Sequence, residues 1–111
     1  MSTIYLDNAA TTRVREEVVD KISSIIKNEY GNPSSTHSYG RSSKSLIESS
    51  RKEIADILNV KSSEIIFTSG GTEGDNMIIR NCVNNLGVSR IITTKIEHHA
   101  VTHTIDDLFS S

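Results

Sequence analysis

The sequence predicts an α/β fold with a parallel-type sheet, and three observations predict it. The apolar run Ile65-Ile66-Phe67 is too short for a helix and suits a strand covered on both faces, and Arg90-Ile91-Ile92-Thr93-Thr94 reads as a second strand. Segments with apolar residues at helical spacing lie before, between and after these runs. The third observation is the join Thr68-Ser69-Gly70-Gly71-Thr72-Glu73-Gly74-Asp75-Asn76, where a strand gives way to a glycine turn and then to a helix.

That join is the most informative stretch of the chain. Gly70-Gly71 lets the backbone turn sharply and approach another group closely. Thr72 suits an N-cap, and Glu73 and Asp75 suit the positive end of the helix they open. A strand that delivers a glycine turn to a helix N-terminus offers free N–H groups and a hydroxyl to an anion, for which phosphate is the natural ligand. An ordinary crossover shares part of this pattern. A Walker A loop is excluded because no lysine follows Gly74, and the dinucleotide fingerprint because Gly70, Gly71 and Gly74 have the wrong spacing. What remains is a cup for a single phosphate.

In chain order, Ile4-Tyr5-Leu6 reads as a short strand or extended segment, followed by the small, turn-prone Asp7-Asn8-Ala9-Ala10-Thr11-Thr12. Val14 to Asn28 is expected as a helix, since Val14, Val18, Ile22, Ile25 and Ile26 share one face and Thr12 offers a cap. Gly31-Asn32-Pro33-Ser34-Ser35-Thr36-His37 holds the only proline and fixes a turn, as either a surface linker or a pocket wall. A second helix is expected from Tyr39 to Leu58. Its five serines weaken its intrinsic propensity, so it depends on packing, and Asn59 stops it. The glycine turn opens a third helix, Glu73 to Asn84, ended by Asn85-Leu86-Gly87. A fourth, His99 to Phe109, follows the second strand and Lys95-Ile96-Glu97-His98. Two short strands cannot cover their own faces and edges, so the sequence reads as the opening part of a larger domain, with little expectation of folding alone.

Composition excludes several classes. At 111 residues the chain is one domain or part of one, and its net charge of −2 argues against a nucleic-acid surface. The start lacks a signal-peptide pattern, and no apolar run approaches membrane-spanning length. A single cysteine, Cys82, rules out an internal disulfide framework and fits a reducing cytoplasm. The low aromatic content, 5%, argues against a large self-sufficient core.

Three histidines, His98, His99 and His103, invite a metal reading, but the helix lacks His-Glu-x-x-His and no third ligand has suitable spacing, so no metal is assigned. His98, just past a strand end, is better placed to lie flat on an aromatic ring and carry protons; the plain alternative is an exposed loop histidine. Cys82 lies about 15 Å along the helix from Thr72, too far for a nucleophile at the cup, and suits a small buried core position.

Four stretches together resemble the cysteine desulfurases of the class V aminotransferase family, in that family's order. They are Tyr5-Leu6-Asp7-Asn8-Ala9-Ala10-Thr11-Thr12, Gly31-Asn32-Pro33-Ser34-Ser35-x-His37, Thr68 to Asn76, and Thr94-Lys95-Ile96-Glu97-His98-His99-Ala100-Val101. The resemblance is to the branch serving nitrogenase-type and housekeeping iron–sulfur assembly. It implies the N-terminal part of a fold-type I pyridoxal-phosphate transferase with a three-layer α/β/α large domain, incomplete in this chain. Residues 1–15 would form an extended arm and 16–111 the start of the cofactor-binding domain.

The resemblance further implies that Gly71 and Thr72 hold the phosphate of pyridoxal 5'-phosphate, and that His98 stacks on its ring and assists proton transfer. Ala9 and Ala10 would lie near the substrate. It implies L-cysteine as substrate, sulfur passed to an enzyme cysteine as a persulfide with release of L-alanine, a cytoplasmic homodimer, and an iron–sulfur scaffold or other sulfur acceptor as partner. No nucleic acid or membrane is expected. The family's cofactor-binding lysine, in a Ser-x-His-Lys stretch, and its sulfur-accepting cysteine have no match here, and neither Lys95 nor Cys82 replaces them. The chain alone is therefore expected to be inactive. A selenocysteine lyase or aminotransferase would share the cup, and a non-catalytic phosphate-binding module is the remaining alternative.

Overall fold

The computed structural model describes residues 3–110; Met1 and Ser2 of the expected arm, and Ser111, lie outside the described residues. The order of elements is α1 (Glu16–Asn28), α2 (Ser38–Leu58), a 3-10 turn (Ser62–Glu64), α3 (Gly71–Asn84) and α4 (His99–Phe109). They fall into two compact units that divide after Ile65. No helix among the described residues is long and apolar enough to cross a membrane.

The expected strands do not form. Residues 4–6, 65–68 and 90–94 have no strand assignment, and Ile66, Phe67 and Ile92 are exposed at 63%, 47% and 93%. The reason is physical. A strand is defined by ladder hydrogen bonds to a neighbour, and among the described residues these segments have no such neighbour. Ile4-Tyr5-Leu6, expected as a short strand or an extended segment, leads into a turn in which the Asp7 carbonyl accepts the Ala10 and Thr11 amides and the Tyr5 hydroxyl.

In the first unit, α1 begins at Glu16, two residues later than its apolar pattern suggests. Its N-cap is Arg15, with no side-chain cap bond, so Thr12 does not cap it. Glu16 and Glu17 complement the helix dipole in the first turn instead. No residue of α1 is buried, and the stripe of Ile22 and Ile26 stands open.

The start of α2 is held far more tightly. His37 is its N-cap and accepts the Gly40 amide on Nδ1 at 3.3 Å. Asn32 closes the proline turn twice: its side-chain oxygen accepts the Ser34 amide and its carbonyl the Ser35 amide, each at 2.9 Å. A Cβ at Gly40 would lie 2.5 Å from the Ser35 carbonyl oxygen, and one at Gly31 would lie 2.3 Å from that of Tyr39. Tyr30 and Tyr39 stack across the turn at 5.4 Å. The loop is thus a packed bracket on the start of α2. Ser43 is buried beneath it, with its hydroxyl directed to the Glu29 carbonyl. The helix ends where expected, with Asn59 left-handed at φ 54°.

In the second unit α3 and α4 lie side by side and parallel. Asn76 contacts Ala100 and Thr104, and one turn further along Arg80 pairs with Asp107. Contacts that advance together along both helices fix a common direction and bring both N-termini to one end. The segment 85–98, which passes through Gly87 at φ 69°, makes that return possible. Among the described residues of this unit, the buried side chains are small: Ala100 and Thr104 are 6% and 3% exposed.

Candidate functional site

The site is the shared N-terminal end of α3 and α4. α3 starts at Gly71 with Gly70 as N-cap, so Thr72 lies inside the first turn and is not the cap. The first main-chain bond of the helix runs from the Gly74 amide to the Gly70 carbonyl, which leaves the amides of Gly71, Thr72 and Glu73 without an acceptor among the described residues. The Thr72 hydroxyl makes no hydrogen bond among the described residues either. A Cβ at Gly70 or Gly71 would meet nothing within 4 Å. Among the described residues these two glycines answer no crowding, and the space where a side chain would stand at either is open.

The loop before α3 is tied back on itself. Thr68 Oγ1 donates to the Gly70 carbonyl at 3.1 Å, and the Ser69 amide donates to Glu73 Oε2 at 2.6 Å. The Ser69 bonds hold the Glu73 carboxyl below its ordinary value even though the side chain is exposed. Glu73 therefore spends its charge on Ser69 and leaves the amides beside it free.

His98 occupies the matching position on α4. It is the N-cap, and its Nδ1 accepts the Ala100 amide at 3.1 Å. With Nδ1 accepting, the neutral ring carries its hydrogen on Nε2. That assignment also fixes the ring's orientation, which sequence reasoning missed because histidine is not among the usual capping residues.

Thr72 and His98 line one cleft of about 350 Å³, together with Asn76, Arg80, Ala100 and Thr104. His99 and His103 complete its wall and stack on each other at 4.9 Å. Gly71 adjoins the cleft through Thr72. Ala9 and Ala10 belong to the first unit, in the turn closed on Asp7. Among the described residues no three His, Cys, Asp or Glu side chains converge as a metal site. Cys82 is half-buried and is not part of the cleft wall.

Asn76, Arg80 and Thr104 were not anticipated. The available signal was spacing: Thr72, Asn76 and Arg80 recur every four residues and so share one face of α3. Thr104 sits within the apolar stripe of α4, where a buried hydroxyl needs a partner.

Free amides, a hydroxyl and an oriented imidazole thus adjoin one cleft at the start of two helices, an arrangement of donors that suits an anion. The model of the family described as aminotransferase class-V matches residues 4–110, and the chain belongs to that family. It is similar to the cysteine desulfurase IscS of Dictyoglomus turgidum (strain DSM 6724 / Z-1310), at 49% identity over 88% of this chain and 25% of that protein. It is also similar to the putative cysteine desulfurase IscS 1 of Bacillus subtilis (strain 168), at 47% identity over 97% of this chain and 29% of the relative. The chain thus spans between a quarter and a third of these relatives' lengths. A solved structure described as a NIFS-like protein superposes with a TM-score of 0.82 at 39% identity, over 91% of this chain and 28% of that one. The chain follows the α/β fold of type I pyridoxal-phosphate enzymes over that part, as expected.

Proposed function

We propose that the complete gene product is a pyridoxal-phosphate-dependent cysteine desulfurase. It would convert L-cysteine to L-alanine and pass the sulfur to an enzyme cysteine as a persulfide for iron–sulfur cluster assembly. The observation that supports this most strongly is the single cleft shared by Thr72 and His98 in a chain of this family. The family depends on pyridoxal phosphate, and the residues present fit that group: unpaired helix amides and a hydroxyl for the phosphate, open space in front of Gly70 and Gly71, and an imidazole for the ring.

When bound, the cofactor supplies an electron sink for bond breaking at the substrate carbons. The chain's own contribution is binding and proton handling. The amides of Gly71 and Thr72, with the Thr72 hydroxyl, hold the phosphate at the positive end of α3. The N-terminus of α4 adds a second positive end on the same side. Two parallel helix dipoles repel one another, and an anion at their common N-terminal end relieves that repulsion. His98 lies against the ring and exchanges a proton at Nε2, because Nδ1 is committed to Ala100. Arg80 is paired with Asp107 at 2.7 Å, so the cleft gains a polar wall with little net charge.

In this reading residues 1–15 serve as an arm that brings Ala9 and Ala10 near the substrate, and residues 16–111 open the cofactor-binding domain. The chain itself contains no Ser-x-His-Lys stretch for a cofactor-binding lysine. A cytoplasmic homodimer that hands sulfur to a scaffold protein completes the proposal. The test is to supply the complete gene product with pyridoxal phosphate and L-cysteine and measure alanine and protein-bound persulfide. Equimolar formation of the two is expected in a single turnover. A cofactor-loaded protein that releases no alanine from L-cysteine would overturn the proposal.

A further inference from the structure

We propose that Asn76 is a positioning residue that, with Thr104, sets the distance and orientation between the phosphate cup and the His98 imidazole. This rests on reading the cleft as the cofactor site, although the wiring itself is a property of the chain.

Asn76 uses its whole amide across the two helices. Its Nδ2 donates to the Thr72 carbonyl at 2.8 Å, one turn back toward the cup, and reaches the Ala100 carbonyl at 3.5 Å. Its Oδ1 accepts from Thr104 Oγ1 at 2.7 Å. The Thr104 hydroxyl has a second acceptor at the same distance, the Ala100 carbonyl, and with one hydrogen it serves one of the two at a time. Ala100 is the hinge of this arrangement. Its carbonyl faces Asn76 and Thr104 while its amide donates to His98 Nδ1.

A continuous path therefore runs from Thr72 through Asn76 and Ala100 to His98, with no exposed link in its middle. Ala100 and Thr104 are buried and Asn76 is half-buried, so water does not readily replace the bonds among these three, whereas the Asn76–Thr72 bond is exposed. Local helix packing alone would be satisfied by apolar side chains of the same size. Leucine at 76 would fill the space but could bond neither the Thr72 nor the Ala100 carbonyl, and valine at 104 would keep the shape of threonine without its donor.

The experiment uses the complete gene product and compares Asn76→Leu, Thr104→Val and Thr104→Ser. Folding is followed by circular dichroism, and pyridoxal phosphate affinity by titration. The His98 ring is read in the cofactor-free protein from its imidazole 15N shifts, which distinguish hydrogen on Nε2 from a mixture of tautomers. Wild type and Thr104→Ser are expected to show the Nε2–H form. Asn76→Leu and Thr104→Val are expected to show mixed tautomers, with turnover down about tenfold and cofactor affinity within about threefold.

Unchanged His98 shifts in both folded apolar variants would overturn the proposal, whatever happens to activity. So would a Thr104→Ser variant that behaves like Thr104→Val. If Asn76→Leu does not fold, the Thr104 pair decides alone. A wild-type protein that fails to bind pyridoxal phosphate would defeat the reading of the site, while the imidazole shifts would still judge the wiring.

Discussion

His98 caps the helix it introduces: its Nδ1 accepts the Ala100 amide at 3.1 Å, so one bond both stabilises α4 and aims the imidazole. The two roles separate by substitution. His98→Asn keeps a capping side chain and removes the ring; His98→Ala removes both. In the complete gene product both variants should lose most desulfurase turnover while retaining cofactor. Only His98→Ala should also lose about 0.5–2 kcal/mol of stability in a denaturant titration. Full turnover in His98→Asn would contradict the proposed role of the ring.

Thr72 has a free hydroxyl in the first turn of α3, and the phosphate is its expected partner. Thr72→Ala should weaken pyridoxal phosphate binding by about 1.5–3 kcal/mol, since a hydrogen bond to a charged group is lost. Thr72→Ser should restore it. Equilibrium titration of the cofactor-free protein checks both.

The glycines of this chain divide into two kinds, and the division is testable. Gly31→Ala and Gly40→Ala each drive a Cβ into main-chain oxygen atoms, at 2.3 and 2.5 Å, and should cost at least about 1–3 kcal/mol of stability. Gly71→Ala meets nothing in the chain and is helical, so stability should hold or rise slightly. Its cofactor affinity should nevertheless fall, because the new methyl occupies the approach to the amides. Thermal melts set beside cofactor titrations separate the two classes.

Much of this was legible in the sequence. The helix from His99 to Phe109 and the end of α2 at Asn59 were readable because apolar spacing and a residue tolerant of left-handed geometry are local signals. The glycine turn into α3 was readable for the same reason, as Gly70, Gly71 and Thr72 are consecutive. The strands at 65–68 and 90–94 were not reliable, because a ladder depends on partners that an apolar run does not specify. Asn76 and Thr104 lie 28 residues apart, and no local pattern announces a bond that exists only once α3 and α4 are parallel.

Glu73 supplies a pH prediction. Its folded value is lowered by the Ser69 bonds, so its stabilising contribution is present above the ordinary glutamate value and is lost as pH falls through the lowered one. The Ser69 amide proton shift should follow pH with an inflection below the ordinary glutamate range. Glu73→Gln should abolish that inflection. An inflection at or above the ordinary value would contradict the bond.

Cys82 is half-buried on α3 and does not contribute to the cleft wall. Cys82→Ser should leave alanine formation and persulfide loading intact, with a stability cost of at most about 1 kcal/mol. Loss of persulfide in a folded Cys82→Ser protein would mean that the sulfur acceptor lies on this helix.

The central claim is that the shared N-terminal end of α3 and α4 holds pyridoxal phosphate, and a crystal structure of the complete gene product grown with the cofactor tests it most directly. Phosphate oxygens are predicted within about 2.7–3.2 Å of the Gly71 and Thr72 amides and the Thr72 hydroxyl, with the His98 ring face-on to the pyridine. A phosphate anchored away from the start of α3, or a His98 ring turned from the pyridine, would contradict the account.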